Sequence, residues 1–452
     1  MARLLKFTPQ FLKFPGWGDP EFQLRALLVL ALLVGGGGSA YGVFNLLVQL
    51  ASLLILGANP KLVLDFFRQG PKLFRFLVAV TLALPLLQLV PLPPFLWSVL
   101  PGRDLLGQSL SLIGRSSDWF PISLAPSRTL TAFLSLLPVL AVLVLSSNLS
   151  HQGWVRVWQA IVFVGVVSAV LGGLQLITAN EHFIIFRERT NSGMLYASFA
   201  NHNATGLFFV LALTAVATLQ IAFERPRSSL WWLGVAATIF VIAVVLSQSR
   251  SSIGLLSINI AIISALILQR SKMIQAHKLA TVFIGVMLCA GALLAVQKVG
   301  RFSRSFERFE SIEDVRPAIW SDTLLSVKRF WPVGSGISSF PEVFEVDETL
   351  ENVWLFHAGR AHNDYLEIAQ EAGIVGLLLI VAWMFWCGSA WRSAWNGGSG
   401  RKATIAVAGL LVISLQSMVD YPLRNQTILC VAALFLALLL DSCRKRLARG
   451  NL

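Results

Sequence analysis

Residues 361–376 read AHNDYLEIAQEAGIVG, and residues 377–390, LLLIVAWMFWCGSA, follow them with hardly a polar group. The two halves demand different surroundings. The second has the length and apolarity that cross a bilayer. The first places His362, Asn363, Asp364, Glu367 and Glu371 at the mouth of that span. Polar groups at such a depth are costly unless they face water, protein or a ligand. The fold therefore turns on a membrane helix, and the function on what its polar end faces.

The rest of the chain is of the same kind. Of its 452 residues, 56% are hydrophobic and only 13% charged, with a mean hydropathy of +0.71. A soluble protein of this size needs a far more charged surface. The apolar runs predict an all-α, polytopic transmembrane helical bundle of about 12 spans. A membrane β-barrel would show short alternating segments instead. Three regions are expected: nine spans with short links over 1–297, a loop domain over 298–363, and three spans with a basic tail over 364–452. The first apolar run, Ala26 to Val34, follows a leader containing Arg3, Lys6, Lys13 and Arg25. It reads as a signal-anchor, not a cleaved signal.

Charge orients this map. One side carries 21 of the 36 Lys and Arg with five acidic residues, leaving 15 basic and 18 acidic residues on the other. The positive-inside rule makes the basic side cytoplasmic, and both termini with it. The net charge of +13 is then a topology signal, and no nucleic-acid partner is expected. Cys289, Cys387, Cys430 and Cys443 lie in spans or beside the basic end, without metal-ligand spacing. Neither disulfides nor zinc are expected. His357 and His362 lack a third ligand, so no metal or other cofactor is expected.

The longest links, 92–128 and 298–361, fall on the opposite side. In the second, RFSRSFERFE (301–310) spaces Phe302, Phe306 and Phe309 for a short amphipathic helix. A further helix is expected from Pro317, ended and turned by Pro332, Gly334 and Gly336.

Three polar clusters lie on that side. A helix starting near Asn363 or Asp364 points free amides and its positive dipole end outward, where anions bind. His362, just before it, would be a neutral imidazole able to accept a proton. The plain alternative is that His362 and Asn363 only cap the span. Ala369, Gly373 and Gly376 share one face, small enough for close helix packing. SQSRSS (247–252) holds Arg250 at the membrane surface, to grip phosphate or to anchor headgroups. FRERTNSGMLYASFANHN (186–203) brings Arg187, Arg189, Asn201, His202 and Asn203 to the start of another span. Asp420 and Arg424, in DYPLRN, are expected to pair with each other.

His362-Asn363, nine residues, then Gly373-x-x-Gly376 resembles the signature of bacterial O-antigen ligases. Arg316, Trp320, Pro332-Val-Gly-Ser-Gly and Phe340 look like the block that precedes it in the O-antigen ligase and polymerase superfamily. Phe199–Asn203 and Ser249-Arg250 are similar to two further family segments. Leu377 stands where Thr is often found, which keeps polymerases in view beside ligases.

The resemblance implies a metal-independent glycosyltransferase of the bacterial inner membrane with a periplasmic site. Its donor would be a glycan on undecaprenyl pyrophosphate, moved whole to a hydroxyl acceptor. That acceptor is a growing O-antigen or exopolysaccharide chain for a polymerase, and lipid A core for a ligase. His362 would be the general base, and Arg250 would stabilise the pyrophosphate with Arg187 or Arg189. Asn201, Asn203, Arg316 and Asn363 would complete the site. Membrane lipids and polysaccharide export or chain-length proteins are the expected partners. Two other readings are a transporter and a flippase for lipid-linked sugars. A transporter should carry ionisable groups near mid-membrane, which these spans lack.

Overall fold

The computed structural model describes residues 18–40, 42–186, 191–224, 229–270, 315–353 and 358–449. Helix α1 (Pro20–Val34) and α2 (Gly42–Ala58) meet at a 3-10 turn, Gly35–Ala40. Helix α3 (Pro60–Gln69) leaves α2 at 82°, and α4 (Lys72–Gln88) follows. A loop then holds β1 (Pro91–Leu92), α5 (Pro94–Trp97), α6 (Asp104–Leu112) and β2 (Phe120–Pro121). The two short strands pair antiparallel, with Leu92 opposite Phe120. Next come α7 (Pro126–Ser135), α8 (Leu137–Ser146), α9 (His151–Ile177), α10 (His202–Ile221), α11 (Leu230–Leu246) and α12 (Arg250–Arg270). Helices α13 (Arg316–Phe330) and α14 (Phe340–Asp347) precede α15 (Asp364–Asn396), α16 (Gly400–Gln416) and α17 (Gln426–Arg449).

The protein is an all-α polytopic bundle. Among the described residues seven helices are long and apolar enough to cross a membrane, and the bent pair α2–α3 would make eight. The sequence led us to expect about 12. Helices α4, α11 and α16 stop at 17 residues each, only about 25 Å at 1.5 Å per residue. The expected span at 279–297 and the amphipathic helix at 301–310 lie outside the described residues. Helix α13 starts at Arg316 with Pro317 in its first turn. Gly334 (φ 93°) and Gly336 (φ 109°) then turn the chain, as their spacing suggested.

Helix α10 is the axis of the bundle. Leu207, Phe208, Phe209, Val210 and Leu211 are fully buried, packed among α9, α11, α12 and α16. Its polar groups are satisfied inside the protein: Thr214 Oγ1 donates to Asn259 Oδ1 (3.2 Å), and Asn259 Nδ2 to the Val210 carbonyl (3.2 Å). The outer faces of α2, α4 and α15 expose Leu46, Leu50, Leu86, Leu87, Leu378 and Phe385. Such unbroken apolar stripes fit hydrocarbon, not water.

The two ends differ. One gathers the starts of α1, α9 and α16 with the end of α17, and carries simple ion pairs such as Arg156–Glu21 (3.0 Å) and Lys402–Asp441. The other gathers the starts of α10, α12 and α15, and holds the polar clusters.

Candidate functional site

The start of α15 answers the question of what its polar residues face. Asn363 Oδ1 accepts from the Tyr365 and Leu366 amides, both at 3.1 Å, and so caps the helix. His362 does something else. Its backbone has φ 49°, a region non-glycine residues rarely occupy. Two bonds hold it there. The Ala361 amide donates to Glu367 Oε2 (3.1 Å), and the Asp364 amide to the Ser417 carbonyl (2.9 Å). The ring Nδ1 then lies 3.3 Å from Asp420 Oδ1, with the Tyr421 ring edge-on at 4.9 Å between centroids. A carboxylate can only accept, so Nδ1 donates, and in the neutral ring with this tautomer Nε2 is the nitrogen that carries the lone pair.

Asp420 does not pair with Arg424, contrary to the sequence expectation. Pro422–Arg424 form a 3-10 turn, so the two side chains lose the helical spacing that would bring them together. Arg424 reaches α15 instead. Its Nη2 donates to Glu371 Oε2 (2.7 Å) and meets Glu367 Oε1 at 3.1 Å, while Nε lies 3.8 Å from Asp364 Oδ1. Arg360 Nη1 donates to Glu367 Oε1 (2.7 Å). Asp364 Oδ2 accepts from Ser417 Oγ (2.9 Å) and the Leu423 amide (3.2 Å). Three buried carboxylates thus face two guanidiniums. Burial works against the Arg424 charge, but Glu371, Glu367 and Asp364 raise its pKa above the ordinary value. Tyr421 is pushed up to about 12, by burial first and then by Asp420, against a hydrogen bond with the Asn201 side chain.

Helix α15 is not continuous. It breaks at Gly373 (φ 54°, ψ −142°). The freed Ile374 amide donates to the Pro332 carbonyl (3.0 Å). The Ser335 and Gly336 amides donate to the carbonyls of Gln370 (3.0 Å) and Glu371 (2.8 Å). A Cβ on Gly373 would lie 2.0 Å from the Pro332 oxygen, and one on Gly334 would lie 2.5 Å from the Glu371 oxygen. The small residues were expected to serve helix packing. Of these, Gly373 serves an interlock instead, in which Pro332–Gly336 completes the backbone of a broken helix.

The other two clusters join the same end. Asn201 Oδ1 accepts from the Asn203 amide (2.8 Å) and caps α10. His202 Nδ1 donates to the Ser247 carbonyl (3.0 Å), and Ser252 Oγ to the Asn203 carbonyl (3.3 Å). Ser247, Ser249 and Ser252 are fully buried. Gly206 admits them, since a Cβ there would lie 2.6 Å from Ser252 Oγ. The serines of SQSRSS therefore dock its chain on α10 and leave Arg250, exposed, at the start of α12. Arg316 is half-buried at the start of α13, and its charge and that of Asp420 both act on His202. The α1–α2 corner closes the floor. The Gly36 carbonyl accepts from the Ala200 amide and Asn425 Nδ2, both at 3.1 Å, and a Cβ at Gly36 would lie 1.9 Å from the Ser198 oxygen.

His362, Asn363, Asn201, Asn203, Arg250 and Arg316 are thus brought to one end of the bundle. Arg187 and Arg189 lie outside the described residues. Three helix N-termini meet beside an imidazole with their positive dipole ends, although the first amides of α15 already donate to the Ser417 carbonyl and Asn363 Oδ1. Sequence reasoning missed Asp420 as the partner of His362, and missed Tyr421, Arg360 and Arg424. The signal for Asp420, Tyr421 and Arg424 was DYPLRN, where an acid, an aromatic and a base share one short link. Among the described residues no group of His, Cys, Asp and Glu is arranged to hold a metal ion.

Residues 235–381 match the O-antigen ligase family. The match covers about a third of the chain and supports the resemblance to the O-antigen ligase and polymerase superfamily. Arg250, Arg316, His362, Asn363 and both signature glycines fall within the match. Asn201, Asp420 and Arg424 fall outside it. No curated protein matches the chain. The O-antigen ligase domain implies an enzyme of the glycosyltransferase or ligase type, with a lipid-linked glycan donor and an acceptor in a membrane.

Proposed function

We propose that this protein moves a glycan whole from undecaprenyl pyrophosphate to a hydroxyl acceptor, at the periplasmic face of the bacterial inner membrane. The observation that supports it most is the His362–Asp420 pair beside three helix N-termini. His362 Nε2 takes the proton of the acceptor hydroxyl as its oxygen attacks the anomeric carbon of the donor. The bond from that carbon to the pyrophosphate oxygen breaks, and its electron pair leaves with the lipid diphosphate. Asp420 holds the ring and stabilises the imidazolium that forms. Arg250 and Arg316, with the positive ends of the helices and one of Arg187 or Arg189, stabilise the charge on the leaving group. Asn201, Asn203 and Asn363 fix the helix ends around it. The reaction needs no nucleotide, since the donor is already activated, and it proceeds without a metal.

Of the two branches we favour a polymerase of O-antigen or exopolysaccharide repeat units, on the strength of Leu377. Transfer to lipid A core is the other outcome. The test is to incubate the purified protein with lipid-linked repeat units and measure free undecaprenyl pyrophosphate. Turnover is expected to survive EDTA, and the size of the glycan product separates polymerisation from ligation. His362→Ala is expected to insert normally and release nothing; full turnover in that variant overturns the general base. Arg250→Lys is also expected to be poor, because a point charge cannot replace a two-pronged phosphate contact.

A further inference from the structure

The link between α4 and α7 carries an apolar surface that the site does not use. Phe95 is 72% exposed, Val99 74% and Trp119 63%, with Leu96 also exposed. These side chains are not exposed because the link is loose. Trp97, between them, is 2% exposed and donates from Nε1 to the Asp118 carbonyl (3.0 Å). Arg103 is buried and donates to the Ile122 carbonyl. The β1–β2 pair, with Leu92 opposite Phe120, brings Trp119 alongside the start of α5. The link therefore has a fixed inner side and an outer side built of large apolar groups. Charge on that outer side is sparse: Arg115 and Asp118 neutralise each other at 2.6 Å, leaving Asp104.

What covers this surface follows from what it continues. Leu86 and Leu87 in the last turn of α4, and Val90 two residues past its end, are exposed at i, i+1 and i+4 beside the face turned to hydrocarbon. Phe95, Leu96 and Val99 repeat the same spacing immediately beyond it. Large apolar surfaces of this kind mark protein or membrane contacts, and one continuous with a span's lipid stripe meets the same lipid. A tryptophan at its margin suits the headgroup boundary. We propose that Phe95, Leu96, Val99 and Trp119 insert into the bilayer leaflet on the side of the candidate site, making residues 91–121 a lipid-seated flap.

The flap is wired to α15. The Ser123 amide donates to the Gln88 carbonyl (3.0 Å), and the Leu124 amide to the Ser335 carbonyl (2.8 Å). Gln88 itself bridges the Ile337 amide (2.8 Å) and the Glu371 carbonyl (3.0 Å). Lipid contact at α5 thus bears on the segment that completes the broken helix. The inference rests on the membrane reading alone and stands whatever reaction the site performs.

The test uses the full chain in vesicles of phosphatidylethanolamine and phosphatidylglycerol containing a phospholipid with a photoreactive diazirine in its acyl chain. After irradiation and digestion, peptides from 91–121 are expected to carry several-fold more label than those from 340–349, and about as much as those from 374–385. Label at 91–121 no higher than at 340–349 overturns the proposal. A second measurement places a bimane fluorophore at Phe95→Cys, Val99→Cys or Glu345→Cys, with the native cysteines replaced. Brominated lipids are expected to quench the first two and aqueous iodide only the third. Shielding from iodide at 95 and 99 without quenching by brominated lipid points to a second copy or another protein, and overturns the lipid assignment. Photolabelling of the unaltered chain decides the matter if the cysteine-free background fails to fold.

Discussion

The two ends of the bundle both carry ion pairs, but they are built on opposite principles. At the end where α1 begins, Arg156 is 54% exposed beside Glu21, and Arg401 and Glu224 are 42% and 53% exposed. At the other end Glu367 and Glu371 are wholly buried, and Arg360 and Arg424 nearly so. Exposed pairs are screened by water and contribute about 0–1 kcal/mol. Buried ones cost desolvation, and well-packed apolar residues would often serve stability as well or better. The buried set is therefore explained by geometry more than by stability. Glu367 fixes the amide before His362, and Arg424 fixes the link that carries Asp420. The exposed pairs dress a surface; the buried set around Glu367 fixes coordinates.

The hardest way to break this contrast is Arg424→Ala. It leaves Asp364, Glu367 and Glu371 buried together without their shared partner, and is expected to cost about 3–5 kcal/mol. Thermal unfolding of the purified protein in detergent measures it. A loss no larger than that of a surface pair would mean the carboxylates are not held as ions by Arg424.

Asp420→Asn sharpens the contrast by separating position from stability. An amide can offer Nδ1 the wrong partner and no longer stabilises an imidazolium, so the transfer rate is expected to fall about 100-fold. That is about 2.7 kcal/mol of barrier, with the unfolding temperature unchanged. Equal falls in rate and stability would make Asp420 a structural residue only.

What the sequence made legible follows from the range over which each signal acts. The spans were readable because apolarity and helical length are local. Asn363 was readable as a cap because a cap bonds amides two or three residues on. The polar ends were correctly gathered on one side, because charge bias between loops is counted along the chain. Pairing was not readable. Asp420 and Arg424 are four apart, yet their partners lie some 58 and 53 positions away, at His362 and Glu371. A single 3-10 turn redirected both. Gly373 misled for the same reason. Gly373 and Gly376 suited close helix contact, but the close neighbour of Gly373 is the Pro332 carbonyl, which no periodicity announces.

Gly373→Ala probes that interlock at lower cost. The methyl meets the Pro332 oxygen in a backbone with positive φ, and strain of this kind is worth about 1–3 kcal/mol. The expected result is reduced stability together with faster amide exchange at Ile374, Ser335 and Gly336, whose bonds span the break. Unaltered exchange there would show that α15 keeps its kink without the loop.

The smallest effect is expected at the opposite end. Arg156→Ala removes a 3.0 Å pair with Glu21, but Arg25 also lies 3.6 Å from that carboxylate and both arginines reach water. Glu21 is left neither unpartnered nor deeply buried. The loss is expected to stay below about 1 kcal/mol and to shrink further in high salt. Insertion and transfer should be unchanged, since the pair sits at the opposite end of the bundle from the α10 and α15 N-termini. A loss comparable to that of Arg424→Ala would erase the distinction between the two ends, because it would make a solvated ion pair as indispensable as a buried one.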